Sequence, residues 1–64
     1  MAKFLSATDL AIAFAIRSNT LRVETRSGRF GDYVAVSDDT GLIEVHNSQA
    51  EADDRLAAIR EALQ

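Results

Sequence analysis

The chain has 64 residues, 47% of them hydrophobic, and a formal net charge of −3 at pH 7. It has no cysteine and a single histidine, which excludes disulfide bonds, thiolate nucleophiles and cysteine-based metal sites. We expect one domain, residues 1–64, with a core so small that its margin of stability is narrow.

The first predicted element is a helix over residues 7–18. Ser6 and Asp9 are spaced as a capping box, and Leu5 and Leu10 occupy the two positions of a hydrophobic staple. Isoleucine and phenylalanine alternate within this stretch as they would in a strand, but four alanines and the cap favour a helix.

The apolar run of this helix, residues 10–16, bears on both location and contacts. It is far shorter than the roughly 20 residues that span a bilayer. Because no signal-peptide pattern accompanies it, we expect a cytoplasmic protein with no membrane association. A two-layer fold of this size cannot fully bury a helix that is apolar on nearly every side. We therefore interpret its outer side as a contact surface for a partner or for a second copy in a weak homodimer.

Three strands are predicted next, in the segments "TLRVETR" (20–26), "DYVAVSD" (32–38) and "LIEVHN" (42–47). The short glycine-containing turns between them predict an antiparallel meander. Alternation along the strands predicts one face against the helices and one face exposed. The residues predicted to face the helices are Leu21, Val23, Val34, Val36, Ile43 and Val45. Those predicted to face outward are Arg22, Glu24, Arg26, Tyr33, Leu42, Glu44 and His46.

A closing helix has the clearest signals. Ser48 and Glu51 form a capping box, Glu51 and Arg55 are spaced as a favourable ion pair, and Asp53 and Asp54 complement the helix dipole. The element order α-β-β-β-α predicts the α+β class, with both helices packed on one face of a three-stranded antiparallel sheet. The apolar positions of this helix, at amphipathic spacing, are Ala52, Leu56, Ile59 and Leu63.

Three local patterns suggest catalysis or RNA binding, and each has a simpler interpretation. The aspartic-protease tripeptide at 39–41 lacks the second, facing carboxylate that this chemistry needs, and its residues favour a turn. "GRFG" at 28–31 has the form of an RNA-binding loop but joins two strands, with Phe30 a candidate for burial. Glu44 and His46 would share a face without a nucleophile or oxyanion-stabilising group. We therefore predict no catalytic residue, cofactor or metal site.

Charge is unevenly distributed along the chain. Residues 1–31 contain five basic and two acidic residues, a net charge of +3, whereas residues 32–64 contain two basic and eight acidic residues, a net charge of −6. An acidic end of this kind repels phosphate and attracts basic protein surfaces. The alternative is an ordinary solvated surface.

The stretch "SQAEADDRLAAIREAL" (48–63) ends a chain whose element order, length and alanine-rich closing helix resemble the double-stranded RNA-binding domain. In that family, lysines near the start of this helix grip RNA phosphates. The corresponding positions here are Gln49, Ala50, Glu51, Asp53 and Asp54, and carboxylates there would repel RNA. The resemblance therefore implies a fold and no binding residue.

In size, acidity and lack of cysteine, the chain also resembles phage-encoded inhibitors of host defence, including anti-CRISPR proteins. Members of that class occlude nucleic-acid sites on CRISPR effector subunits, some by displaying carboxylates in place of phosphates. The acidic residues that match this description are Asp38, Asp39, Glu51, Asp53, Asp54 and Glu61.

The hypothesis from the sequence is a non-catalytic inhibitor or adaptor that binds a basic, nucleic-acid-binding subunit of another protein. The residues expected to make the contact are Asp38, Asp39, Glu51, Asp53 and Asp54 by charge, with Tyr33 as an aromatic anchor. One alternative is a nucleic-acid-binding module that places Arg17, Arg22, Arg26 and Arg29 on phosphates. A second is a homo-oligomerising structural domain driven by the first helix.

Overall fold

The computed structural model describes residues 6–64 and confirms the predicted α+β class. The first helix has the predicted bounds, and each strand begins and ends within two residues of its prediction. In the described part of the chain, neither helix has the length and hydropathy that crossing a membrane requires. The elements are α1 (Ala7–Ser18), β1 (Arg22–Gly28), β2 (Gly31–Asp38), β3 (Gly41–His46) and α2 (Gln49–Ala62).

Each helix has the predicted serine as its N-cap. Ser6 and Ser48 have extended backbones, and each side-chain oxygen accepts the N–H three residues later, at 3.1 and 3.2 Å. At its other end α1 stops at Asn19, whose left-handed backbone (φ 60°) lets its N–H reach the last carbonyls. The predicted staple between Leu5 and Leu10 involves a residue outside the described range.

The sheet is an antiparallel meander in the order β1-β2-β3. Two-residue turns join the strands, and each turn is followed by a glycine with positive φ: Gly31 at 123° and Gly41 at 138°. Residues with a Cβ rarely adopt backbone angles in this positive-φ region. Glycine at both positions therefore sets where the second strand of each hairpin begins.

The core lies between the helices and one face of the sheet. Ile12 and Val36 are completely buried, and the helices pack on β2 and β3. Arg17 Nη2 donates to the Leu63 carbonyl at 3.1 Å, and Arg55 contacts Asp9 nearer the start of α1, so the two helices run in the same direction. The core residues are Ile12, Ala13, Val36, Leu56 and Ile59, with Ile16, Leu21, Val23, Ile43 and Leu63 packed around them.

A β-bulge in β3 corrects the predicted sheet faces. Val36 pairs with Glu44, whereas the next residue, Ser37, pairs with Leu42, so Ile43 is an extra residue in β3. The extra residue shifts the alternation by one position. Glu44 and His46 therefore face the helices, and Val45 faces away from them and is 51% exposed. The predictions for these three residues were wrong.

One end of the sheet extends beyond the helices. His46, the last residue of β3, pairs with Val34, so the β1–β2 hairpin continues past the third strand. Every residue from Glu24 to Asp32 is exposed, and the molecule measures 40 × 22 × 17 Å. We call residues 24–32 the hairpin arm.

Candidate interaction surfaces

The side chain of Arg55 connects both helices to the edge strand β3. Its Nε donates to both carboxylate oxygens of Glu44, at 3.3 and 3.2 Å, and its Nη2 donates to Glu44 and Asp9. Glu44 also contacts His46 Nε2. Hydrogen bonds to Glu44, and then those to Asp9, raise the pKa of the Arg55 guanidinium above its ordinary value. We call these four residues the Arg55 cluster.

The Arg55 cluster is partly shielded from water. The side chains of Asp9, Glu44 and His46 are each 17% exposed, and that of Arg55 is 29% exposed. One guanidinium therefore pairs with two carboxylates at the junction of α1, α2 and β3. The role imagined for Glu44 and His46 from the sequence placed them on an open sheet face, whereas Glu44 is bound by Arg55 beneath α2.

This inward contact changes the charge of the outer side of α2. The expected Glu51–Arg55 pair is not among the ion pairs of the described residues, because Arg55 reaches Glu44 and Asp9 instead. Glu51 accepts the N–H of Asn47 at 3.2 Å. The first half of α2 therefore presents carboxylates to solvent without a neighbouring cation from the same helix.

Three of the predicted contact residues lie on this part of α2. Glu51, Asp53 and Asp54 are exposed, and within residues 6–64 none of the three belongs to an ion pair. Asp53 accepts a hydrogen bond from the Gln49 side chain at 2.8 Å. Asp54 and Glu61 are seven residues apart and share the outer side of the helix. We call the exposed side that carries Glu51, Asp53, Asp54 and Glu61 the acidic α2 face.

The other two predicted carboxylates lie in the β2–β3 turn. Asp38 Oδ1 accepts hydrogen bonds from the N–H and hydroxyl of Thr40, at 2.8 and 2.6 Å, and from Gly41 N–H at 3.1 Å. These bonds, the hydroxyl first, hold the pKa of Asp38 below its ordinary value. Asp38 thus stabilises the turn, while Asp39 points into solvent. The protease-like tripeptide is part of a hairpin turn, as its composition predicts.

The predicted contact residues do not form one site. The β2–β3 turn and the start of α2 lie at opposite ends of β3, about 17 Å apart by the rise of the strand. Tyr33 alternates with Val34 and faces away from the helices, and its ring lies over Gly28. It is therefore on the other side of the sheet from α2. Glu51, Asp53 and Asp54 lie on the first two turns of α2, with Glu51 and Asp53 on opposite flanks of the exposed side and Asp54 between them. Asp38 and Asp39 lie apart from them in the β2–β3 turn, and Tyr33 lies on the other face of the sheet.

The hairpin arm is a third surface, and it contains Arg26 and Arg29, two of the four arginines that the nucleic-acid-binding alternative places on phosphates. Phe30 at its tip is 98% exposed, so its candidate burial was wrong. Arg29 precedes it, and Arg26 Nη2 lies 4.0 Å from Glu24 Oε1 on the same strand. Ser27 donates to Asp32 across the hairpin at 3.1 Å. The signal available in the sequence was a bulky aromatic inside a two-residue turn, where a short hairpin has no layer to cover it.

A second apolar surface lies on the side of α1 that faces away from the core. Leu10 and Phe14, one turn apart, are 56% and 72% exposed. Ala7 and Ala11 lie on the same side, next to an open groove of about 390 Å³. Leu42, 58% exposed, lines the far wall of that groove. The expected outer contact surface of the first helix is therefore an exposed apolar stripe.

Comparisons with protein-family models, with curated proteins and with solved structures gave no match to this chain. Within residues 6–64, no group of three or more histidine or carboxylate side chains is arranged to hold a metal ion. Three surfaces of the described residues are candidates for binding a partner: the acidic α2 face, the hairpin arm and the outer side of α1.

Proposed function

We propose that the protein is a non-catalytic inhibitor that binds, through the acidic α2 face, a basic nucleic-acid-binding surface of another protein. Some of the small phage-encoded anti-CRISPR proteins, a class that the chain resembles in size and acidity, act in this way. The observation that carries the proposal is the inward position of Arg55, which leaves Glu51, Asp53 and Asp54 without an ion pair in the described chain.

The composition of the acidic α2 face fits this role. The other exposed residues beside its carboxylates include alanines at positions 50, 57 and 58, whose short side chains leave the charges accessible to a phosphate-binding groove. Complementary charge speeds association and selects basic partners, whereas the anchor energy comes from apolar contacts. The carboxylates also disfavour direct binding to nucleic acid.

The test is affinity capture from a bacterial lysate that contains assembled CRISPR effector complexes, with nuclease treatment followed by mass spectrometry. We expect a basic effector subunit to be retained after nuclease treatment by the wild-type protein. Retention should fall at least tenfold with Asp53→Lys/Asp54→Lys, since two attractive charges become repulsive. Asp53→Asn/Asp54→Asn should give an intermediate loss.

The matched control is Glu24→Lys/Asp32→Lys on the hairpin arm, which makes the same change in net charge at another exposed place. Circular dichroism and thermal unfolding check that each variant folds. Equal loss in the two lysine variants would assign the effect to net charge alone and remove the acidic α2 face from the proposal.

A second candidate function is nucleic-acid binding by the hairpin arm. The specific observation in its favour is the exposed Phe30 beside Arg29, because an aromatic ring next to a guanidinium can stack on a base while the cation contacts phosphate. Fluorescence anisotropy with single- and double-stranded oligonucleotides over a salt series tests this function. It requires affinity that falls steeply with salt and is lost in Phe30→Ala. Capture that disappears with nuclease treatment would favour this function over the first.

A further inference from the structure

We propose that the outer side of α1 is the interface of an antiparallel homodimer. The stripe formed by Ala7, Leu10, Ala11 and Phe14 is apolar, and its two large side chains are more than half exposed. A second copy of the same helix is an occupant of matching chemistry, because aliphatic and aromatic side chains can interdigitate across a pair of helices.

The spacing of the stripe is suited to self-association about a two-fold axis. Leu10 and Phe14 are equidistant in sequence from Ile12, and so are Ala7 and Arg17. In an antiparallel pair of α1 helices whose two-fold axis crosses the outer side of α1 level with Ile12, Leu10 of one copy lies beside Phe14 of the other. The same axis places Arg17 beside Ala7 of the second copy. An isologous interface of this kind needs one surface that is complementary to itself.

The charges at the two ends of the stripe are opposite, which selects the antiparallel orientation. Arg17 is exposed at the C-terminal end of α1. At the N-terminal end, Ala7 lines the groove that also contains Asp38 of the β2–β3 turn, and the exposed Asp39 follows it. Antiparallel pairing brings each Arg17 towards the acidic turn of the other copy, whereas parallel pairing brings like charges together.

The size of the contact sets the expected strength. A helix of 12 residues is about 18 Å long, so the contact is small beside the roughly 800 Å² per partner of a standard interface. We therefore expect a dimer that forms reversibly, with a dissociation constant on the order of 10 μM. This inference uses the outer side of α1 and is independent of the acidic α2 face.

Sedimentation equilibrium over a wide concentration range tests the proposal. The mass should rise with concentration from 7.0 kDa towards twice that value. Phe14→Ser should weaken dimerisation at least tenfold, whereas Phe30→Ser, which removes an even more exposed aromatic ring, should leave it unchanged. A wild-type mass that stays at 7.0 kDa up to about 1 mM would overturn the proposal, as would a dimer that persists in Phe14→Ser.

A charge exchange tests the orientation separately. Arg17→Asp and Asp39→Arg should each weaken the dimer several-fold, since each places like charges together across the interface. The double variant Arg17→Asp/Asp39→Arg should recover near wild-type dimerisation. Failure of the double variant to recover, with each variant folded by circular dichroism, would contradict the antiparallel arrangement.

Discussion

The covered end of the sheet and the hairpin arm obey different constraints although the same two strands run through both. At the covered end, Val36 is completely buried against residues of both helices. Along the arm, nine consecutive residues are exposed, and an aromatic ring at the tip touches solvent on nearly all sides. The comparison teaches that folding stability is concentrated in one part of the sheet, which leaves the arm's side chains available for contacts that folding does not require.

The largest expected effect is on the free energy of unfolding, and it should distinguish a core residue from a residue of similar hydrophobicity in the hairpin arm. Leu56 is 4% exposed and contacts the core from α2. We expect Leu56→Ala to lower the free energy of unfolding by about 2–5 kcal/mol, since it removes buried methyl groups and leaves a cavity. Phe30→Ala should change it by less than about 0.5 kcal/mol. Urea denaturation measures both, and similar losses would mean that the arm packs in solution.

The next largest effect is expected from a substitution that removes the cation of the Arg55 cluster. Arg55→Met should lower the free energy of unfolding by about 1–3 kcal/mol, because Glu44 and Asp9 lose their cation while partly buried. Arg60→Met, at an exposed position of the same helix, is the matched control and should have little effect. A double-mutant cycle with Glu44→Gln should show coupling between residues 44 and 55; additive losses would contradict the cluster.

A smaller effect is expected at Gly28, where the hairpin arm lies against the ring of Tyr33. A Cβ at Gly28 would lie 3.1 Å from the Tyr33 ring and 3.3 Å from the Gly31 carbonyl oxygen. We expect Gly28→Ala to displace the ring and to destabilise the protein by less than about 1 kcal/mol. Hydrogen exchange should become faster in the arm and stay unchanged in α2. Slower exchange in the arm would show that the added methyl group packs without displacement.

The smallest expected effect concerns the turn at the covered end. Because hydrogen bonds from Thr40 hold the pKa of Asp38 below 3.8, the ionised carboxylate stabilises the folded state at higher pH. That contribution is complete above the unfolded pKa and is lost as the pH falls through the lower, folded value. An NMR titration should show the depressed pKa, and Thr40→Val should raise it. An unchanged pKa in Thr40→Val would contradict the assigned cause.

The fold was predictable because its signals are local. Capping serines at positions 6 and 48, a turn glycine after each two-residue loop and the apolar spacing of α2 each depend on a few neighbouring residues. The exchange of faces in β3 was not predictable, because Leu42 and Ile43 are adjacent apolar residues and either register satisfies the sequence. Pairing with β2 and the attraction of Glu44 to Arg55 decide between the two registers, and both involve residues distant in sequence.

The candidate site was predictable only in part, for the same physical reason. Composition located the carboxylates correctly in turns and on the last helix. It could not show that Arg55 turns inward, since the i,i+4 spacing to Glu51 favours the opposite orientation and the competing partners come from α1 and β3. Nor could it separate Tyr33 from α2, because that depends on which face of the sheet the helices cover.

The position of β1 at the edge of the sheet has a consequence for handling the protein at high concentration. Its outer backbone N–H and C=O groups face solvent, so β1 is a template on which another chain could add a strand. Arg22, Glu24 and Arg26 alternate along this strand, and charged side chains of this kind oppose strand addition and aggregation. Variants that neutralise these charges should therefore be the first in a mutant panel to precipitate, whatever their effect on folding or binding.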